Sequence, residues 1–277
     1  MLDQAESLRR MVQEKVKIVT VTSGKGGVGK SNFVVNLGIT LQKSGKKVLI
    51  FDADIGMGND DVLMGVYPKY NIFHVIKGMD MKDIIVKGPE GISLVAAGSG
   101  INAIEDLNEE QRRIFLNRLK DLEGYDYILI DTGAGINRSV LAFIACSEEV
   151  IVVTTPEPTS MTDAYSLLKA VNHFELKNEA NIVVNMTLDS SEGKNTFEKM
   201  KNVVEKFLTL KVNYLGEIPE DLKLVQSVRS QKPFVLMHPK SKSSKALESI
   251  SNKFVNEGKI GEETVKGLFS KLFNIFS

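Results

Sequence analysis

The chain has 277 residues, 43% apolar and 25% charged, enough to bury one substantial core without disulfides or a structural metal. Thirty-five Lys and Arg balance 35 Asp and Glu, which argues against nucleic-acid binding over a broad basic surface and leaves room only for a local patch. A single cysteine, Cys146, excludes an intramolecular disulfide and a zinc site of several thiolates, and in VLAFIACSEEV it reads as a small core residue.

Residues 1–15 precede the first strand pattern and lack the apolar core of a signal peptide, so a cytoplasmic protein is expected. Runs rich in Val and Ile then recur at 16–22, 47–52, 92–97, 125–131, 149–155, 181–186 and 212–218. Most are continuous rather than alternating, the pattern of strands covered on both faces. Helical periodicity falls between them, near 30–44, 108–123, 137–146, 160–175, 195–208, 220–229 and 241–256. Strand and helix alternating at this spacing predict an α/β fold, a mostly parallel twisted sheet flanked by helices on both faces. Residues 16–258 form one domain in this reading, with appendages at 1–15 and 259–277.

The first strand runs into Ser23-Gly24-Lys25-Gly26-Gly27-Val28-Gly29-Lys30-Ser31-Asn32, and a helix pattern follows at once. This is G-x-x-x-x-G-K-[ST] in the strand-to-helix setting that it requires. Glycines let backbone N–H groups close around phosphate oxygens, and the helix N-terminus adds its dipole. Lys30 is placed for the β- and γ-phosphates, and the Ser31 hydroxyl for Mg²⁺. A nucleotide-phosphate site with Mg²⁺ is therefore expected over Gly24–Asn32. The three histidines, His74, His173 and His238, lack ligand spacing, so no further metal is expected.

A second lysine inside the loop, Lys25, makes K-G-G-x-G-K-S and resembles the deviant phosphate loop of the MinD/ParA ATPases. The resemblance covers roughly residues 16–256. It implies that the nucleotide is ATP or ADP, and an ATP-dependent sandwich homodimer in which Lys25 reaches the phosphates held by the other subunit. It also implies that Asp54, in Phe51-Asp52-Ala53-Asp54, positions the attacking water and belongs to the Mg²⁺ site with Ser31. Asp52 matches a nearby metal-shell or switch position. Asp131 ends the apolar run YDYILID, and the resemblance makes it a carboxylate that holds Mg²⁺ through water. Gly133 and Gly135 would let the following loop close over the γ-phosphate. Catalysis would thus rest on Lys25, Lys30 and Asp54. No N-K-x-D guanine-reading motif follows a strand, and Asn185, Pro219, Glu220 and Asp221 match the family's adenine pocket. Asn185 also reads as an ordinary turn residue.

Within the family, Asp131-Thr132-Gly133-Ala134-Gly135-Ile136 is similar to the FlhG branch, which regulates flagellar number and placement. Asp3-Gln4-Ala5 with Leu8-Arg9 resembles that branch's activator segment for an FlhF-type GTPase, so residues 1–12 are expected to meet such a partner. Leu2, Ala5, Leu8 and Val12 would line one face of a short helix. Flagellar switch-complex proteins are further expected partners. Gly58-Asn59-Asp60-Asp61 departs from the branch, which often carries an apolar residue before the second Asp.

At the C-terminus, Val265, Leu268, Phe269, Leu272, Ile275 and Phe276 share one helical stripe, with Lys266, Ser270, Lys271 and Asn274 mostly opposite. No apolar run reaches the ~18 residues of a spanning helix. An amphipathic helix over 262–277 that lies on an anionic membrane surface is expected, or one docked on the protein's own core. Two other readings stay open within the fold: a division-site MinD ATPase, and a ParA-type DNA-partitioning ATPase with Lys240, Lys242 and Lys245 as its modest basic cluster.

Overall fold

The structure is a computed structural model that describes residues 16–54, 58–96, 108–118, 122, 124–257 and 265–276. The expected partner segment at 1–15, the strand end at 97, the helix end around 119–121 and the start of the tail at 258–264 lie outside the described residues.

Among the described residues eight strands form one sheet: β1 (Lys17–Ser23), β2 (Val48–Ala53), β3 (Val86–Lys87), β4 (Ser93–Val95), β5 (Tyr127–Ala134), β6 (Glu149–Thr154), β7 (Glu179–Thr187) and β8 (Lys211–Pro219). Their order is β3-β4-β2-β5-β1-β6-β7-β8, and every pairing is parallel except β3 with β4. Longer helices cover both faces. They are α1 (Lys30–Lys43), α5 (Glu109–Arg118), α6 (Arg138–Cys146), α7 (Pro158–His173), α8 (Ser190–Phe207), α9 (Leu222–Arg229) and α11 (Lys242–Glu257). Short helices α2 (Asp60–Met64), α3 (Ile72–Ile76), α4 (Met81–Ile84) and α10 (Phe234–Met237) fill the connections, and α12 (Val265–Phe276) closes the chain.

The continuous Val/Ile runs are explained by burial on both faces. All seven residues of β1 and all six of β2 are buried. In β2, Leu49 and Phe51 join a core under α3, α6 and α12, whereas Val48 and Ile50 face α1 and α11. In β6, Val150 and Val152 pack in a third cluster with α7 and α8. Cys146 is buried at the end of α6, as its apolar context implies.

The expected strands and long helices are present, with shifted ends. The helix expected from 195 begins at Ser190, because the Asp189 carboxylate accepts from the N–H groups of Ser191 and Glu192 at 2.8 and 3.0 Å. The helix expected from 220 begins at Leu222, where Asp221 caps the Lys223 N–H at 2.9 Å. The four short helices and the antiparallel edge strand β3 had no counterpart in the sequence reading; four or five residues are too few for a period to register. α3 is fixed instead by a local cap, the Asn71 side chain accepting from Phe73 N–H while His74 Nδ1 accepts from Asn71 N–H.

Candidate nucleotide site

The C-terminal ends of β1, β2 and β5 converge with the start of α1. Asp52 and Asp131 are direct neighbours across β2 and β5, and Val21 of β1 lies opposite Asp131. The loop Gly24–Gly29 leaves β1 at this edge, and Lys30 opens α1. Gly29 takes φ 84°, the left-handed region that a side chain resists, and its missing Cβ leaves room for the Asn185 amide. Gly24 packs so closely on the backbone of Asp163 and Ala164 in α7 that a Cβ there would strike main-chain atoms. The loop is therefore held by glycine geometry at both ends.

Lys30 is buried, and its Nζ meets Asp131 Oδ1 at 2.5 Å and Ser31 Oγ at 3.4 Å. Asp131 is itself 1% exposed. Burial pushes the Asp131 carboxyl up against the opposing pull of Lys30 and the hydrogen bonds from Lys30 and Ser31. Asp52 is pushed up to about 7 by burial and by the charge of Asp131, although Asp54 N–H donates to its Oδ1 at 3.0 Å. Asp54 lies against Gly133, where an added Cβ would stand 3.2 Å from Asp54 Oδ1. Gly135 N–H donates to Ser23 O at 2.8 Å, which ties the loop after β5 to the phosphate loop.

Lys25 points elsewhere. Its half-exposed Nζ is held by Glu157 Oε2 at 3.2 Å and Thr159 Oγ1 at 3.0 Å, at the start of α7. Lys25 and Lys30 thus serve different surroundings in one loop. Asn185 Nδ2 donates to Val28 O at 2.8 Å, so this β7 residue reaches the loop from the far side. Pro219 ends β8, and its carbonyl accepts from Ser243 Oγ at 3.1 Å. Asp221, expected in a base pocket, is used as a helix cap, with Glu220 beside it.

Sequence reasoning gave no role to Asp60. The first residue of α2, it is fully buried beside Asp131 and Asp52, and neither of its oxygens has a hydrogen-bond donor among the described residues. Burial, then the charges of Asp131 and Asp52, hold its carboxyl far above the usual range. An Asp beside Asp61 in the loop-like stretch Gly58-Asn59-Asp60-Asp61 gives no signal of such burial. The partners of Lys25, Glu157 and Thr159, were also missed, being more than 130 residues away in sequence.

The donor set fits a hydrated divalent cation next to phosphate. It offers a hydroxyl, Ser31, and several carboxylates around one lysine, with orphaned carboxylate oxygens among them. Among the described residues no three acidic or thiol groups converge to hold a cation by themselves. A cation here would be completed by phosphate oxygens and water. A cavity of about 790 Å³ opens at the opposite end of the sheet, around Glu149, Lys177, Asn181, Lys211, Asn213 and Tyr214. It has no glycine-rich turn and no helix N-terminus of the phosphate-loop kind, so the chemistry is placed at the loop.

A glycine-rich turn from a central parallel strand into a helix, a buried lysine paired with a carboxylate on the neighbouring strand, and a second loop lysine together define a P-loop nucleotide triphosphatase. The chain belongs to the ParA/MinD family of P-loop ATPases: the family model described as "ParA: NUBPL iron-transfer P-loop NTPase" matches residues 14–255. The chain is 37% identical over 240 residues to the antiactivator FleN of Pseudomonas aeruginosa, with 86% of each chain covered. It is 36% identical over 264 residues to the flagellum site-determining protein YlxH of Helicobacter pylori, covering 92% of this chain and 89% of that one. Among solved structures, MinD in the MinC:MinD complex of Aquifex aeolicus superposes with a TM-score of 0.71 at 28% identity, over 90% of this chain and 99% of that one. MinD of Pyrococcus horikoshii, solved with Mg-ADP, shares the fold with a TM-score of 0.69 at 24% identity. The iron transfer in the family description does not carry over, since a cluster needs several thiolates and this chain has one cysteine.

Proposed function

We propose that the protein is an Mg-ATPase switch that regulates flagellar number and placement through an ATP-dependent homodimer. The observation that carries the reading is the phosphate loop with two differently employed lysines, in a chain similar over most of its length to FleN and YlxH. Lys30 and the N–H groups of Gly26–Ser31 bind phosphate, and Asn185 with Pro219 and Glu220 borders the base. Ser31, Asp54 and Asp131 hold Mg²⁺, directly or through water. The cation neutralises charge that builds up on the phosphoryl group. Asp54, on the loop that faces Gly133, orients the lytic water, a task that needs placement more than basicity. Lys25 swaps its exposed contacts with Glu157 and Thr159 for the phosphates of the partner subunit. An exposed pair of this kind is worth about 0–1 kcal/mol, so the swap costs little.

The tail helix is docked on the protein's own core in the structure, and in our reading it takes a membrane role only in the dimer. In the structure α12 is seated against α5 and α6, with Leu268, Leu272 and Phe273 buried in the same core as Phe51 and Phe143. Arg138, the first residue of α6, donates from Nη2 to Ile275 O at 2.9 Å. The buried face is therefore rotated from the expected stripe: Phe273 is inside and Ile275 is 39% exposed, while the side chains of Val265, Phe269 and Phe276 lie outside the described residues. No described helix is long and apolar enough to cross a membrane. Release of two such helices from a dimer onto an anionic surface would join two weak anchors into a firm one. Residues 1–12 would meet the FlhF-type GTPase, and flagellar switch proteins would read the dimer.

The test is Lys25→Ala. The variant should bind ATP as a monomer yet form no ATP-dependent dimer by light scattering, and cells carrying it should show altered flagellar counts. A dimer of undiminished affinity and a wild-type count would overturn the reading.

A further inference from the structure

The strongest unexplained group in the molecule is Asp60. Its carboxyl is fully buried, no described N–H or O–H group donates to either oxygen, and it stands against the Asp131 carboxyl, with which it can bond only by keeping a proton between them; Asp52 is near by. Removing a carboxylate from water without a donor or a counter-charge is costly, and a chain retains such a group only where something else occupies its oxygens. Lys30 cannot serve both, because its Nζ is engaged by Asp131 Oδ1 and Ser31 Oγ. Lys25 is turned away to Glu157. Asp52, Asp60 and Asp131 therefore crowd three carboxyl groups around one lysine, beside a loop built to receive a polyanion. Phosphates entering such a place meet repulsion unless a divalent cation enters with them.

We propose that Asp60 is a metal-positioning residue that accepts a hydrogen bond from water on the nucleotide's Mg²⁺. The inference rests on the Mg-nucleotide reading of the site given above. It goes beyond that reading, because it gives this chain an additional anchor for the cation outside Ser31, Asp54 and Asp131. No three described acidic groups converge to hold a cation by themselves, so water completes its shell and is what Asp60 meets. The scaffold for the role is closely packed at Gly58 and Gly65. Asp60 opens α2, and Gly65 at the end of α2 abuts the Gln231 carbonyl so closely that a Cβ would stand 2.8 Å from it. At Gly58 a Cβ would strike the Asp52 carboxylate, so the turn into α2 is packed directly on the acidic cluster. Outer partners of metal sites orient what the direct ligands hold, and their loss typically lowers metal affinity by about 10- to 100-fold.

The experiment uses the full chain with ADP and Mn²⁺ as an EPR-visible probe, in wild type, Asp60→Asn and Asp60→Val. Nucleotide binding in EDTA is measured in parallel. Both variants should bind Mn²⁺ in the presence of ADP about tenfold more weakly, while ADP affinity in EDTA is not reduced. Wild-type Mn²⁺ affinity in both variants would overturn the proposal. So would wild-type affinity in Asp60→Asn with loss only in Asp60→Val, since Asp60 would then act as a neutral donor to Asp131. Equal loss of ADP binding with and without metal would assign Asp60 to the fold instead. Should Asp60→Val fail to fold, the near-isosteric Asp60→Asn still decides between the first outcomes. Failure of the wild-type protein to bind nucleotide at all would count against the Mg-nucleotide reading rather than against Asp60.

Discussion

The phosphate-loop site and the seat of α12 meet at α6, yet they are held by opposite physics. The site is made of backbone geometry and buried charge: Gly29 in a left-handed conformation, Lys30 on Asp131, and carboxylates whose burial is incompletely compensated. The seat of α12 is made of apolar area, with Leu268, Leu272 and Phe273 against Phe143 and its neighbours, and Arg138 hydrogen-bonds the helix end. The first is specific and poised for a ligand; the second is non-directional apolar contact. The segment between them is short. Gly135 is tied to Ser23 and Arg138 follows three residues later, so a movement of the loop after β5 reaches both regions.

The largest expected effect is at the charged site. Lys30→Ala strips Asp131 of its partner and the phosphates of theirs; breaking a buried pair from one side costs about 3–5 kcal/mol. ATP affinity measured by calorimetry should fall by about 10²-fold or more. Asp54→Ala should slow hydrolysis by about 10²-fold with ATP affinity retained, which steady-state turnover and binding measured together will show. A variant that hydrolyses ATP at the wild-type rate would remove Asp54 from the reaction.

The apolar region gives smaller numbers. Leu129 and Leu272 are both fully buried. Leu129→Ala in β5 should cost about 2–5 kcal/mol, because a central strand cannot leave the core. Leu272→Ala should lower the thermal midpoint less, since the loss is limited by the free energy of undocking α12. Equal shifts for the two variants would make α12 an integral core element and weaken the case for its release.

The smallest effect is the pH dependence of the nucleotide-free protein. Asp52 has its folded value raised from 3.8 to about 7. Between those values the folded chain keeps a proton that the unfolded chain has released, so stability falls as pH rises through the window and levels off above 7. Asp60 and Asp131 are shifted in the same direction. The thermal midpoint should be higher at pH 5.5 than at pH 7.5, and Asp52→Asn should flatten the difference.

Much of this was legible in the residues. The Val/Ile runs specify strands because a sheet covered on both faces admits no alternation, and the loop from Gly24 to Asn32 is recognisable because phosphate chemistry permits few other residues there. Asp131 was legible as the end of an apolar run, and Asp54 only through the family resemblance. Helix starts were less so: Asp189 and Asp221 cap their helices through side-chain hydrogen bonds, which periodicity does not register.

The sequence by itself determined the fold class, the phosphate loop and the amphipathic character of the last helix, all of which are local patterns of spacing and residue type. Tertiary structure decided which groups share a charge. It set Lys30 on Asp131 and Lys25 on Glu157, 101 and 132 residues away, and brought Asn185 to Val28 across 157. It also turned Phe273 inward on α12 and buried Asp60 without a donor. Desolvation and Coulomb energy depend on distance in space, and a one-dimensional pattern carries no such distance.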